Sequence, residues 1–161
     1  MLFRSLPLSY VRDRSRDWRG WRTTAAEASA IITQTAPQAP EGLFLLAEDE
    51  RLASVLNFHL AGSLPVLRPT SRHPLVQIPA SAVPESDYHF WPAYDSSAAG
   101  RSAYEGRTAL YFTTSHAAEA PPRLRATFQE VSPLTIFDVM QSGLPIRRIK
   151  VFSCTGFAPP A

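Results

Sequence analysis

The stretch Glu41–Gly62, EGLFLLAEDERLASVLNFHLAG, decides how this chain is read. Leu43, Phe44, Leu45, Leu46 and Ala47 form a short continuous apolar run, which suits a strand covered on both faces, since a half-exposed strand would alternate. Glu48, Asp49 and Glu50 interrupt the run. Asp49 is placed to cap a following helix by accepting a backbone N–H, and Glu50 falls in the first turn, where the positive end of the helix dipole favours an anion. Leu52, Val55, Leu56 and Leu60 then recur at spacings of three and four, on one helical face, and Gly62 supplies a stop. The stretch predicts a buried strand, a tight acidic turn and a helix, a β-α unit.

Working outward, Leu64–Leu67 (LPVL) is a second short apolar run that reads as a strand returning beside the first, so that strand, helix and strand make a parallel crossover. Upstream, Trp18, Trp21, Ala25, Ala28 and Ile32 follow helical spacing from Asp17, and Pro37 and Pro40 end that helix near Thr35. Downstream, Pro69, Pro74, Pro79, Pro84 and Pro92 break up a long irregular segment around the aromatic cluster Tyr88, Phe90 and Trp91. Thr108–Thr113 (TALYFT) has strand composition. A loop at Pro121 and Pro122 precedes two further strands, at Ala126–Val131 and Leu134–Met140. Ser142–Pro145 reads as a turn into a last strand over Ile146–Phe152, and the final strands predict an antiparallel hairpin on the sheet edge. The expected architecture is one α/β domain, residues 17–157. It is a sandwich with a mixed sheet, a parallel β-α-β start and an antiparallel C-terminal hairpin. A flexible Arg-rich segment, 1–16, precedes it and a frayed tail, 158–161, follows.

Composition sets the limits of function. At 161 residues, 45% hydrophobic and 19% charged, the chain is an ordinary globular one, while fifteen prolines against seven glycines imply many fixed, irregular connections. Lys150 is the single lysine among sixteen basic residues, and the net charge is only +2. The arginines are spread along the chain rather than clustered, which argues against a nucleic-acid binder and is what a GC-rich coding sequence would give without selection. The single cysteine, Cys154, excludes an internal disulfide and a Cys-rich zinc site. No stretch has the roughly 18–20 apolar residues of a membrane span. Nor does the N-terminus have the apolar core of a signal peptide, so the chain expressed alone is expected in the cytoplasm.

The common catalytic templates do not fit. The turn after the first strand, Glu48–Glu50, has no glycine, and three acids at a helix N-terminus repel a phosphate. His59, His73, His89 and His116 lack paired metal spacing, so no metal is expected. Cys154, with no local base, reads as a small hydrophobe, and no serine lies in a nucleophile-elbow pattern. No cofactor is implied. A polar ligand still has a natural place at the carboxyl ends of the parallel strands. There Glu48, Asp49 and Arg51, with Tyr88 and Trp91 as aromatic platforms, are the candidate ligand-binding residues for a saccharide-like molecule.

Five segments in order carry a family resemblance: Gly20–Ala26 (GWRTTAA), Phe44–Gly62, Ser86–Trp91 (SDYHFW), Gly106–Phe112 (GRTALYF) and the ending Arg147–Phe157. Together they resemble the soluble C-terminal domain of bacterial GT-C membrane glycosyltransferases, the dolichyl-phosphate-mannose mannosyltransferase and aminoarabinose-transferase type. The resemblance implies an enzyme that takes a sugar from a polyprenyl-phosphate donor, with its catalytic acid in a membrane part and this domain on the extracytoplasmic, periplasmic side. This chain holds neither the transmembrane helices nor that acid, so it implies a non-catalytic accessory domain whose partner is the transmembrane glycosyltransferase region. The chain departs from the pattern where His89 stands for the usual aspartate, in a longer Pro69–Glu85 loop, and in an arginine-rich start that runs against the positive-inside tendency. The alternative from another class is a free-standing saccharide-like binding protein using the crevice beside Asp49.

Overall fold

A computed structural model describes residues 19–60, 64–66, 68, 74–79 and 103–158. Helix α1 spans Trp21–Thr35 and runs into a single 3-10 turn, Ala36–Gln38, where Pro37 prevents its continuation. Ala25, Ala28 and Ile32 are its buried stripe, as their spacing predicts; Trp18 lies outside the described residues. Strand β1, Leu43–Ala47, is buried at every position, with Leu43, Leu45 and Ala47 in one core and Phe44 and Leu46 in the other. That two-sided burial is the physical reason for its uninterrupted apolar run. Helix α2, Glu50–His59, starts on Asp49, whose Oδ1 accepts the Leu52 N–H at 2.8 Å. It ends at Leu60, one residue past His59, before Gly62 is reached.

The strand that returns beside β1 is not Leu64–Leu67. It is β2, Val76–Gln77, which pairs with β1 in parallel through Leu45↔Val76 and Leu46↔Gln77. Leu64 and Val66 instead pack as half-buried side chains on the α1–α2 side of the sheet, so their apolar character is spent on the core rather than on pairing. Strand β3, Thr108–Thr113, pairs in parallel with β1 on its other side. The Pro121–Pro122 segment, expected as a loop, opens helix α3, Pro122–Thr127, because proline at the first helical position costs no hydrogen bond. One 14-residue strand, β4, Phe128–Gln141, replaces the two expected strands, and irregularities at Pro133/Thr135 and Val139/Met140 interrupt its pairing. Strand β5, Leu144–Phe157, returns along it and pairs with β3 on its other side. Ser142 and Gly143, with φ of 50° and 79°, form the two-residue connection of this hairpin, the positive-φ pair that matches strand twist.

The five strands form one mixed sheet in the order β2-β1-β3-β5-β4, parallel over its first three strands and antiparallel over its last three. The α/β class and the mixed sheet with its C-terminal hairpin are as the sequence predicts. Helices α1 and α2 cover one face, against Leu45, Leu110, Phe112, Ile149 and Val151. Tyr104, Leu124 of α3 and the rings of Phe128, Phe152 and Phe157 cover the other, around Phe44. Ala158 still donates its N–H to Thr127 at 2.8 Å, so order reaches the first residue of the expected tail. Residues 1–16, the Pro69–Glu85 loop apart from 74–79, and the Tyr88–Trp91 cluster fall outside the described residues.

Candidate functional site

A cleft of about 370 Å³ opens where the parallel strands end, as expected for an α/β sheet. Its floor is the turn from β1 into α2, with Glu48, Asp49, Arg51 and Leu52. One wall is the segment after β3, Thr114 and His116, and the other is the outer part of the β4–β5 hairpin, Asp138 and Pro145–Arg148, with Trp21 of α1 beside it. This wall exists because β3 pairs with β5 only as far as Lys150. Residues 144–149 run on past the end of β3 and leave a gap beside themselves.

Of the residues predicted from sequence, the structure brings Glu48, Asp49 and Arg51 together along this cleft. Tyr88 and Trp91 lie outside the described residues. Trp21, His116, Asp138, Arg147 and Arg148 were not anticipated, because nothing local marks them: Trp21 reads as part of a helix core face and the arginines as edge-strand charges.

The acids here have structural partners. The Glu48 carboxylate accepts the Thr114 N–H at 2.9 Å, the Ser115 N–H at 3.2 Å and the hydroxyls of Thr113 and Thr114, while its backbone N–H donates to Phe112 at 3.0 Å. It ties the turn after β1 to the segment after β3. Asp49 is the α2 cap. Asp138 receives both Nε and Nη2 of Arg148, at 2.8 and 2.9 Å, and this bidentate hydrogen bonding lowers its pKa below the ordinary carboxyl value. Arg147 lies 3.4 Å from the centroid of the Trp21 ring and donates to the Arg19 carbonyl at 3.2 Å and the Thr24 hydroxyl at 3.4 Å. Three guanidinium groups, Arg51, Arg147 and Arg148, and the three carboxylates of Glu48, Asp49 and Asp138 thus line the same cleft.

Other reactive groups are withdrawn into the core. Burial pushes the Cys154 thiol up to about 12. Burial likewise raises the Tyr104 and Tyr111 hydroxyls to about 12, with the Glu48 charge adding to the effect at Tyr111. Among the described residues no group of three or more His, Cys, Asp or Glu side chains gathers around a possible metal position, and no helix is long and apolar enough to cross a membrane. No protein-family description matches the chain, and no curated protein or solved structure is significantly similar to it.

Proposed function

We propose that this chain is a non-catalytic, extracytoplasmic accessory domain of a polyprenyl-phosphate-sugar-dependent membrane glycosyltransferase. The observation that carries the reading is the placement of the resembling segments. Phe44–Gly62 supplies most of β1 and all of α2, Gly106–Phe112 supplies most of β3, and Arg147–Phe157 supplies most of β5, so three of the five quoted segments are consecutive neighbours, β1-β3-β5, at the centre of the sheet. A fourth, Gly20–Ala26, opens α1 against the outer part of the hairpin through Gly20. Segments scattered in sequence thus lie together in one continuous piece of the fold. A structural role for the acids at the β1–α2 turn agrees with a module that leaves the chemistry to a membrane partner. Sequencing the transcript that encodes the chain tests this. The reading expects one frame continuous with a polytopic membrane protein, or a directly adjacent gene for one. A transcript with its own start and no membrane-protein neighbour overturns it.

The cleft favours a second reading, a saccharide-like binding module, because it presents Arg51, Arg147, Arg148 and the Trp21 ring together in a space fit for a small polar ligand. Titration of saccharides and a polyprenyl-phosphate sugar, followed by tryptophan fluorescence and by calorimetry, in the wild type and in Trp21→Ala, tests it. No affinity in the wild type removes it.

A further inference from the structure

The hairpin and the strand beside it end at different places. β4 and β5 stay paired out to Gln141↔Leu144, whereas β3 meets β5 only from Ala109↔Cys154 to Thr113↔Lys150. Past Thr113 the chain leaves β5 and is held by two charged side chains in place of neighbouring strands. The Glu48 carboxylate accepts the Thr114 and Ser115 N–H groups, and Lys150 Nζ reaches across from β5 to the His116 and Ala117 carbonyls at 3.0 and 2.6 Å. Thr114 and His116 face the cleft, while Ser115 and Ala117 face a second space of about 240 Å³, the alternation of an extended chain. Between this segment and the hairpin, β5 from Leu144 to Ile149 has an inner edge with no strand beside it among the described residues. That edge is about 17 Å long at about 3.4 Å per residue. It opens on the cleft of about 370 Å³, into which it brings Pro145, Ile146, Arg147 and Arg148.

We propose that the cleft takes an extended peptide segment, which adds to Leu144–Ile149 as a strand in the place that β3 vacates. A strand edge presents N–H and C=O groups in alternation, and the main chain of another strand matches that repeat, which the hydroxyls of a saccharide do not. The added strand continues an existing ladder, since it begins where the Thr113↔Lys150 pair ends. Charges nearest the edge have partners within the fold, Arg148 in Asp138 and Arg147 in the Trp21 ring, so main-chain pairing governs recognition. The opposite wall has its 114–117 backbone engaged by Glu48 and Lys150, which makes the pairing one-sided. Walls on both sides admit a lone strand and exclude the edge of a folded sheet, so a second copy of the chain does not fit. The proposal rests on neither functional reading above.

The test starts from a phage-displayed library of random peptides of about six to eight residues, enough to span the edge. They are selected on the full 161-residue chain. An enriched peptide is resynthesised with N-methyl groups on alternate residues, once in each of the two frames, and its affinity is measured by calorimetry. Only alternate N–H groups of a strand face its neighbour, so one frame is expected to bind about tenfold or more weakly and the other to bind as the parent peptide does. The change lies in the peptide, so the folding of the chain is untouched. Hydrogen exchange of the chain is expected to slow at amides within 144–149 when the peptide binds. Failure to enrich any peptide, equal effects of the two N-methyl frames, or protection gained along β4 in place of 144–149 overturns the proposal. Saccharide binding in the cleft without peptide binding also overturns it, and leaves the saccharide reading standing.

Discussion

The Asn57 side chain of α2 holds both backbone polar groups of Val76 in β2, accepting its N–H at 3.0 Å and donating to its carbonyl at 2.8 Å. The carboxamide stands in for the neighbouring strand that β2 lacks on that side among the described residues, and it joins helix to sheet across nineteen positions of sequence. Asn57→Ala leaves a backbone N–H and C=O without this partner and is expected to cost about 1–3 kcal/mol, read as a fall in the urea midpoint. Asn57→Asp keeps the acceptor and loses the donor, so it should fall between the two. A stability equal to wild type in the alanine variant would show that β2 does not need the clamp.

The acidic turn is expected to separate into two structural roles. Asp49→Ala removes the α2 cap and should cost about 0.5–2 kcal/mol. Glu48→Ala releases the Thr114 and Ser115 amides instead, so its distinctive signature is faster hydrogen exchange at those two positions. Unchanged exchange there would contradict the role assigned to Glu48.

Gly20 carries both a positive φ of 76° and a close approach to Ile146 and Val139, whereas Gly143 has a φ of 79° with open space around it. Gly143→Ala therefore reports the backbone penalty alone, and Gly20→Ala reports that penalty plus the clash. The expected difference is about 1–3 kcal/mol, with Gly20→Ala the less stable. Equal losses would mean that α1 slides off the hairpin without cost.

Alkali provides a test of the core. Tyr104 and Tyr111 are raised from 10.0 to about 12, and Cys154 from 9.0 to about 12, chiefly by burial. A folded pKa above the unfolded one makes the unfolded chain lose its protons first, so stability is complete below pH 9.0 and declines as pH rises towards about 12. The urea midpoint should fall progressively across that window, and Tyr104→Phe should flatten the fall. In the native state Cys154 is expected to resist thiol reagents until the protein unfolds; rapid labelling without unfolding would contradict its burial.

Most of the centre of the fold is legible in the sequence. Leu43–Ala47 and Thr108–Thr113 are strands because their apolar or β-branched runs are buried in the interior of the sheet, and Asp49 marks the start of α2 by a local hydrogen bond. The misassigned pieces depend on tertiary context. Val76–Gln77 is two residues long and is fixed in part by Asn57, far away in sequence, while Leu64 and Val66 have the same apolar look and pack without pairing. Pro133 hid the continuity of β4, because an edge strand tolerates a missing N–H that a central strand does not. The cleft was legible only on its floor, where Glu48, Asp49 and Arg51 are contiguous. Its walls come from Trp21 and Arg147, which are brought together by a stacking contact that no local pattern announces.

The order of the sheet has a consequence for biosynthesis. Strand β5 is inserted between β3 and β4, although it follows both in the chain, so the edge of β3 has no neighbour until residues 150–154 have been synthesised. Before that moment Leu110, Phe112 and Tyr111 belong to an open strand edge, the kind of surface that pairs with other nascent chains. Truncation anywhere before Leu144 should therefore yield an aggregating fragment rather than a smaller working unit, because the sheet closes only when β5 takes its place.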